Sequence, residues 1–269
     1  CTPRISRARA SLTMKFPWNK NTSATVSPAV FQDDAGLTVR NVSVTGESGT
    51  ETITILKDIS VKLTAPKTAV LGLNGSGKST FLKLFNGLTE PTAGTVTVDN
   101  VDVESHLVEI RQRVGLLFSD PQAQLIMPTP LEDIELSLQK QIPHSDERKA
   151  RATALLTEYG LETRRFSSVY DLSGGEKQLT ALVAVLAVSP RVLLLDEPTT
   201  LLDLRNKLKL MNLLDELPQQ MVISTHDLEL AERCDEALII HGGKLIAQGK
   251  AQQIISLYRT YCATSFPAE

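Results

Sequence analysis

The sequence predicts an α/β fold, a largely parallel sheet with flanking helices and a helical insertion. Three observations predict it. Apolar runs at Thr68–Leu73, Val114–Phe118, Arg191–Leu195 and Met221–Ser224 are mostly continuous rather than alternating, as strands buried on both faces are. Residues from Leu131 to Val188 are mainly helical in pattern, and strands and helices alternate again after them. The 269 residues are 42% hydrophobic and 22% charged, which suits a chain that buries a core.

Taken in order, residues 1–36 differ from the rest. Arg4, Arg7, Arg9, Lys15 and Lys20 precede the first acid, Asp33, and Ser, Thr, Pro and Asn fill the gaps with no apolar period. An acid-poor leader rich in Arg and Ser has the composition of an organelle transit peptide. A disordered tail, or upstream translation with Met14 as the true start, is the preferred reading. Leu37–Val44 and Ile53–Leu63 alternate as strands, with a turn expected at Gly46–Gly49. Thr68–Leu73 leads into a glycine loop and a helix from about Lys78. Gly94–Val103 reads as a strand broken by a turn at Asp99-Asn100. Further on, Thr129 reads as an N-cap, Pro130 as the first helical residue and Glu132 as the capping-box acid, with Leu131, Ile134 and Leu138 on one face. The expected organisation is an extension (1–36), one domain (37–250) with a helical subdomain at about 120–189, and a C-terminal helix and tail (251–269).

Composition excludes several functions. A formal net charge of -3 argues against a nucleic-acid surface. No apolar run approaches the roughly 18–20 residues of a membrane span; the richest, Leu179–Val188, is too short, so any membrane association goes through a partner. Cys1, Cys234 and Cys262 are scattered without CxxC spacing, and the four histidines show no HExxH. A disulfide framework or a His/Cys metal site is therefore not expected, and the usage suits a reducing compartment.

Three motifs carry chemistry. "GLNGSGKST", Gly72 to Thr80, fits G-x-x-x-x-G-K-[ST] between a strand and a helix. Its backbone N–H groups and the helix N-terminus would cradle phosphate. Lys78 would bridge the β- and γ-phosphates, and Ser79 would offer its hydroxyl to Mg²⁺. "VLLLDEP", Val192 to Pro198, ends a buried strand in two carboxylates. Burying an acid costs several kcal/mol unless it is compensated. Asp196 would hold Mg²⁺ through its water, and Glu197 would act as general base on an attacking water. In "LSGGEKQ", Leu172 to Gln178, Ser173 and Glu176 fit a capping box, but Gly174-Gly175 are costly for a helix start, up to about 1 kcal/mol each. A bare helix N-terminus makes sense if the phosphate of a second copy's nucleotide approaches it.

In this order and spacing, the three motifs resemble the ATP-binding subunit of ABC transporters, over roughly Leu37 to Gly249. The resemblance implies a P-loop NTPase with a RecA-like core, an antiparallel β subdomain and a helical subdomain carrying the signature. It implies ATP as substrate, Mg²⁺ as cofactor, and a head-to-tail dimer with two ATPs sandwiched between loop and signature. By that likeness Gly72, Asn74, Gly75, Ser76, Gly77, Lys78, Ser79 and Thr80 contact ATP from one subunit. Ser173, Gly174, Gly175 and Gln178 contact it from the other, with Asp203 as the dimer-contact aspartate. His226, in "VISTHDLEL", matches the switch histidine at the γ-phosphate, although by itself a histidine at a strand tip is more often structural. Two departures stand out: "VSVTGESG" lacks the usual adenine-stacking aromatic, and Ser119 follows Phe118 where a glutamine is usual. Gln122 and Gln124 are not equivalent positions, so Ser119 is expected to reach the metal through a bridging water.

"DPQAQLIMPT" and "DEPTTLLDLRN" are similar to the energy-coupling-factor (ECF) type of importer, most of all to the biotin-uptake ATPase. Leu125, Ile126 and Met127 either enter the helical core or form an adaptable surface for a partner helix. The implied partners are a second ATPase subunit, an integral membrane component and a substrate-binding membrane component. The implied place is the cytoplasmic face of the cell membrane, or the plastid inner membrane if the leader is a transit peptide. A cobalt, nickel or other ABC importer or exporter, a non-transport ABC protein and an ATP-binding regulator remain as alternatives.

Overall fold

A computed structural model describes residues 36–48 and 51–266; the expectations for the basic leader lie outside them. β1 (Leu37–Ser48) and β2 (Glu51–Leu63) form an antiparallel hairpin. Gly46 pairs with Ile53 and Ser48 with Glu51, so Gly46 to Ser48 belong to the ladder rather than to the turn expected at Gly46–Gly49. Thr52, Ile53, Thr54 and Ile55 favour extended backbone and carry the ladder past the glycine. β3 (Lys67–Leu71) runs through the phosphate loop into α1 (Lys78–Leu84). β4 (Ala93–Val98) and β5 (Val101–Asp102) meet at Asp99 and Asn100, whose φ angles of 52° and 65° suit a tight hairpin turn, as expected.

α2 (Leu107–Arg113) then leads to β6 (Val114–Leu117), and a short α3 (Pro121–Gln124) opens the helical insertion of α4 (Pro130–Leu138), α5 (Ser145–Glu158) and α6 (Gly174–Leu186). The chain returns through β7 (Val192–Asp196), α7 (Leu204–Glu216), β8 (Gln220–Ser224), α8 (Leu228–Ala231), β9 (Glu236–His241), β10 (Lys244–Lys250) and α9 (Ala251–Ala263). One sheet is antiparallel, ordered β2-β1-β4-β5; the other is ordered β10-β9-β3-β8-β7-β6, parallel except for its β10 edge.

Side chains alternate across the second sheet and fill two cores. Val70, Leu194, Val222 and Leu238 face α1 and the antiparallel sheet, meeting Phe81, Phe85, Leu56 and Ile59. Ala69, Leu71, Leu193, Leu195 and Ile223 face α6, α7 and α9 on the other side. A third layer joins Leu131, Ile134 and Leu138 of α4 to α5, to Val183 of α6 and to Ala187 at its C-cap. α6 thus belongs to two cores, with Ala181, Leu182 and Leu186 on one side and Val183 and Ala184 on the other. Burying such an aliphatic side chain is worth about 1.5–3 kcal/mol, so α6 ties the insertion to the sheet.

The start of α4 differs in one detail from its sequence pattern. Thr129 Oγ1 accepts from the Glu132 N–H (3.4 Å), but Glu132 receives the Thr129 hydroxyl (2.7 Å) rather than the backbone N–H of a full capping box. The trio before it divides: Leu125 packs against the sheet-side core, whereas Ile126 is 76% exposed.

Candidate nucleotide site

The glycine loop wraps tightly because its backbone adopts angles closed to other residues. Gly77 has φ 104°, and a Cβ there would lie 2.6 Å from Leu56 Cδ2. The Lys78 side chain folds back over the loop, donating from Nζ to the carbonyls of Gly72 (2.8 Å) and Leu73 (3.1 Å). Ser76 Oγ is buried without a hydrogen-bond partner. Buried polar groups are nearly always paired, so the loop interior is built to receive hydrogen-bonding atoms from outside the chain. Asn74 and Gly75 are exposed on the rim, with Ser79 and Thr80 half-buried at the start of α1.

The ends of β3, β7 and β8 lie side by side, which brings the predicted catalytic residues together from three parts of the sequence. Asp196 is buried and accepts from Ser79 Oγ (2.9 Å) and from Ser224 Oγ. Glu197 has a φ of 49°, in the left-handed region, and its N–H donates to the Ser224 carbonyl (3.0 Å). Its Oε1 stands 3.7 Å from Lys78 Nζ and its Oε2 2.7 Å from His226 Nδ1. His226 is more than half exposed, so its ring stands at the mouth of the crevice. Ligands of open parallel sheets bind in such a crevice, at the carboxyl ends of the strands.

Ser79 and Asp196 supply only oxygen donors, and no cluster of three or more His, Cys, Asp or Glu occurs among the described residues. That set fits Mg²⁺, which is commonly held by one or two protein oxygens with the remaining positions left to water and substrate phosphate. Ser119 is exposed beyond β6. Leu117 pairs with Leu195, so the loop after β6 runs beside the Asp196–Glu197 tip. Gln124 turns back onto that strand end, accepting from the Phe118 N–H (3.0 Å) and donating to the Leu116 carbonyl (3.2 Å). It holds the loop rather than replacing the missing glutamine.

Two residues of this region escaped the sequence reading, Gln124 in its holding role and Asp133. Asp133 is buried, and its Oδ1 accepts from the N–H groups of Ile126 (2.8 Å) and Met127 (3.0 Å). The only available signal was an acid on the apolar face of α4, next to Ile134. Beside it lies a groove of about 260 Å³ lined by Leu116, Gln124, Ile126, Asp133, Leu136 and Val185. Ile126 and Leu136 are exposed along it.

The signature helix begins with a full capping box. Ser173 Oγ accepts from the Glu176 N–H (3.3 Å) and Glu176 Oε2 accepts from the Ser173 N–H (2.8 Å). Burial pushes the Glu176 carboxyl up, but the Ser173 N–H and the Arg164 guanidinium (2.8 Å) outweigh it and leave it below the usual carboxylate range. Ser173 and Gly174 are exposed at the helix start. Gln178 is 2% exposed and lines a cleft between α6 and α7 together with Ser173 and Gly175, with its Nε2 buried without a hydrogen-bond partner. Asp203 is exposed and caps α7, accepting from the Asn206 N–H (2.8 Å) and the Asn206 side-chain amide (3.0 Å).

A phosphate loop, a carboxylate pair at a parallel strand tip and a glycine-led helix define a P-loop ATPase. The sequence pattern of the ABC transporter family is matched over residues 56–200. A Bartonella quintana protein named provisionally as an ABC transporter ATP-binding protein is 41% identical over 191 residues, 71% of this chain and 84% of its own. The biotin transport ATP-binding protein BioM of Rhizobium etli is 38% identical over 208 residues, 77% and 92% of the two chains. The dimeric, post-hydrolysis structure of the ATP-binding cassette MJ0796, bound to ADP and Pi, superposes with a TM-score of 0.73 at 30% identity, covering 80% of this chain and 98% of that one. The chain belongs to the ABC transporter family, as an ATP-binding subunit with ATPase activity.

Proposed function

We propose that this ATPase powers an ECF-type importer of a vitamin or similar small solute, with biotin as the first choice, at the cytoplasmic face of a membrane. No helix among the described residues is long and apolar enough to cross a membrane, so the transport path belongs to partner subunits. The observation that carries the chemistry is the convergence of Lys78 and His226 on the two oxygens of Glu197. Glu197 takes the proton of the attacking water as general base. His226 contacts the γ-phosphate and orients the carboxylate. Lys78 exchanges its loop carbonyls for β- and γ-phosphate oxygens, and Gly72 to Thr80 supply the backbone cradle. Ser79 and Asp196 would hold Mg²⁺, with Ser119 behind a water; bound there, the metal neutralises charge on the phosphates.

Ser173, Gly174 and Gly175 complete the site of a second copy, with Asp203 on the same surface. The groove at Ile126 and Leu136 receives a helix of the membrane component, and the loop held by Gln124 and Asp133 joins it to the site. The biotin assignment draws on the likeness to BioM and on the segment around Ser119. Replacing Glu197 by Gln should lower turnover by at least about 100-fold, the usual scale of a general base, while ATP still binds; equal rates would remove Glu197 from this role. Co-purification with membrane partners, followed by binding of biotin against Co²⁺ and Ni²⁺, tests the solute.

A further inference from the structure

The signature glycines face their own chain as well as any nucleotide. A Cβ on Gly174 would lie 3.2 Å from the Leu201 carbonyl, and one on Gly175 only 2.6 Å from Asn206 Cγ and Nδ2. The Asn206 amide therefore sits where a side chain on Gly175 would be. The same amide donates to Asp203 Oδ2 (3.0 Å), while the Asn206 N–H donates to Asp203 Oδ1 (2.8 Å). Both carboxylate oxygens of Asp203 are thus held by a residue pressed against the signature helix. The contact needs both partners, a missing Cβ on one side and a short planar amide on the other.

We propose that Asn206 is a positioning residue that locks Asp203 to the signature loop, so that the two groups offered to a second copy move as one body. This rests on the head-to-tail reading above. Gly175 is then a glycine partly because Asn206 occupies its flank, and not solely because phosphate approaches it. Locking costs no flexibility at the chain's own phosphate loop, so nucleotide capture in that loop stays separate from closure around it. The expected signature is a fall in kcat with little change in the KM for ATP.

The test is a cycle of Gly175→Ala, Asn206→Ala and the double variant, with Asn206→Asp beside them, measured as steady-state ATPase at several pH values. Asn206→Ala should lower kcat about five- to tenfold and leave KM within about twofold, as expected when an interaction made only in the transition state is lost. Gly175→Ala should cost less in the Asn206→Ala background than in wild type, because the amide atoms at 2.6 Å are gone and only the Asn206 Cβ at 3.0 Å remains. Asn206→Asp sets a second carboxylate against Asp203, so its rate relative to wild type should rise as pH falls from 8 to 6 and one of the pair takes a proton. Additive effects of the two substitutions in an active chain, or an Asn206→Asp ratio flat with pH, would overturn the link. A wild-type chain that does not hydrolyse ATP, together with a Glu197→Gln chain that forms no nucleotide-dependent dimer, would overturn the reading beneath it.

Discussion

Replacing Asp133 by Ala should loosen the segment between the ATP site and the proposed partner groove. Asp133 is 5% exposed and its Oδ1 holds two backbone N–H groups, those of Ile126 at 2.8 Å and Met127 at 3.0 Å. Hydrogen bonds to a charged acceptor are worth about 1.5–3 kcal/mol each, and a donor that water can reach regains part of that when the acceptor leaves. Ile126 is largely exposed, so its N–H counts at the low end. The sum is about 2–4 kcal/mol for Asp133→Ala, or roughly 4–16 °C in Tm at about 2–4 °C per kcal/mol for a domain of this size. Asp133→Asn keeps an acceptor oxygen in place and should cost no more than about 1 kcal/mol. Thermal melts of the three purified proteins measure the stability. ATPase of the isolated subunit against transport by the assembled complex measures the coupling, which should fall more than the ATPase does. If the Ala and Asn variants both melt within about 1 °C of wild type, the carboxylate does not hold this loop.

Two further outcomes are expected. Ser119→Gln should leave the melting curve unchanged and shift the Mg²⁺ dependence of turnover or its coupling to transport; superimposable Mg²⁺ titrations with unaltered coupling would contradict this. Lys207 bonds Asp227 (2.7 Å) and Glu229 (2.9 Å). Burial pushes Asp227 up, but the Lys207 hydrogen bond and charge outweigh it and hold the carboxyl low, while both carboxylates raise Lys207. A lowered carboxylate adds stability above its unfolded pKa and loses it as pH falls through the folded value. The roughly 1 kcal/mol expected for Lys207→Met should therefore be full near pH 7 and shrink as pH falls from 5 towards 2; a urea-midpoint gap constant over that range would refute the linkage.

Local rules made much of the fold legible. Asp99-Asn100 tolerates left-handed angles, Thr129-Pro130 starts a helix by capping chemistry, and the Gly72–Thr80 loop follows from glycine spacing. What sequence patterns did not reveal is non-local. Ser79 meets Asp196 across 117 positions because β7 lies two places from β3 in the sheet, an order that no sequence period encodes. Gln124, Asp133 and Asn206 act by bonding or pressing on nearby backbone and side chains, with no characteristic spacing. Gln178 lines the same cleft as Ser173 and Gly175 but is buried there, because the helical phase at that position turns it inward. Gly46 lies inside the ladder, and a glycine within a strand looks, in sequence, like a glycine at its end.

The left-handed backbone of Glu197 has a practical consequence. A non-glycine residue in that region carries roughly 1–2 kcal/mol of steric cost, and Asn or Gly would sit there more comfortably. A campaign that ranks variants of this protein by heat resistance alone would therefore be drawn to position 197 and would collect well-folded, inert proteins. Any search for a sturdier variant has to score turnover in the same screen, because at this residue robustness and chemistry pull in opposite directions.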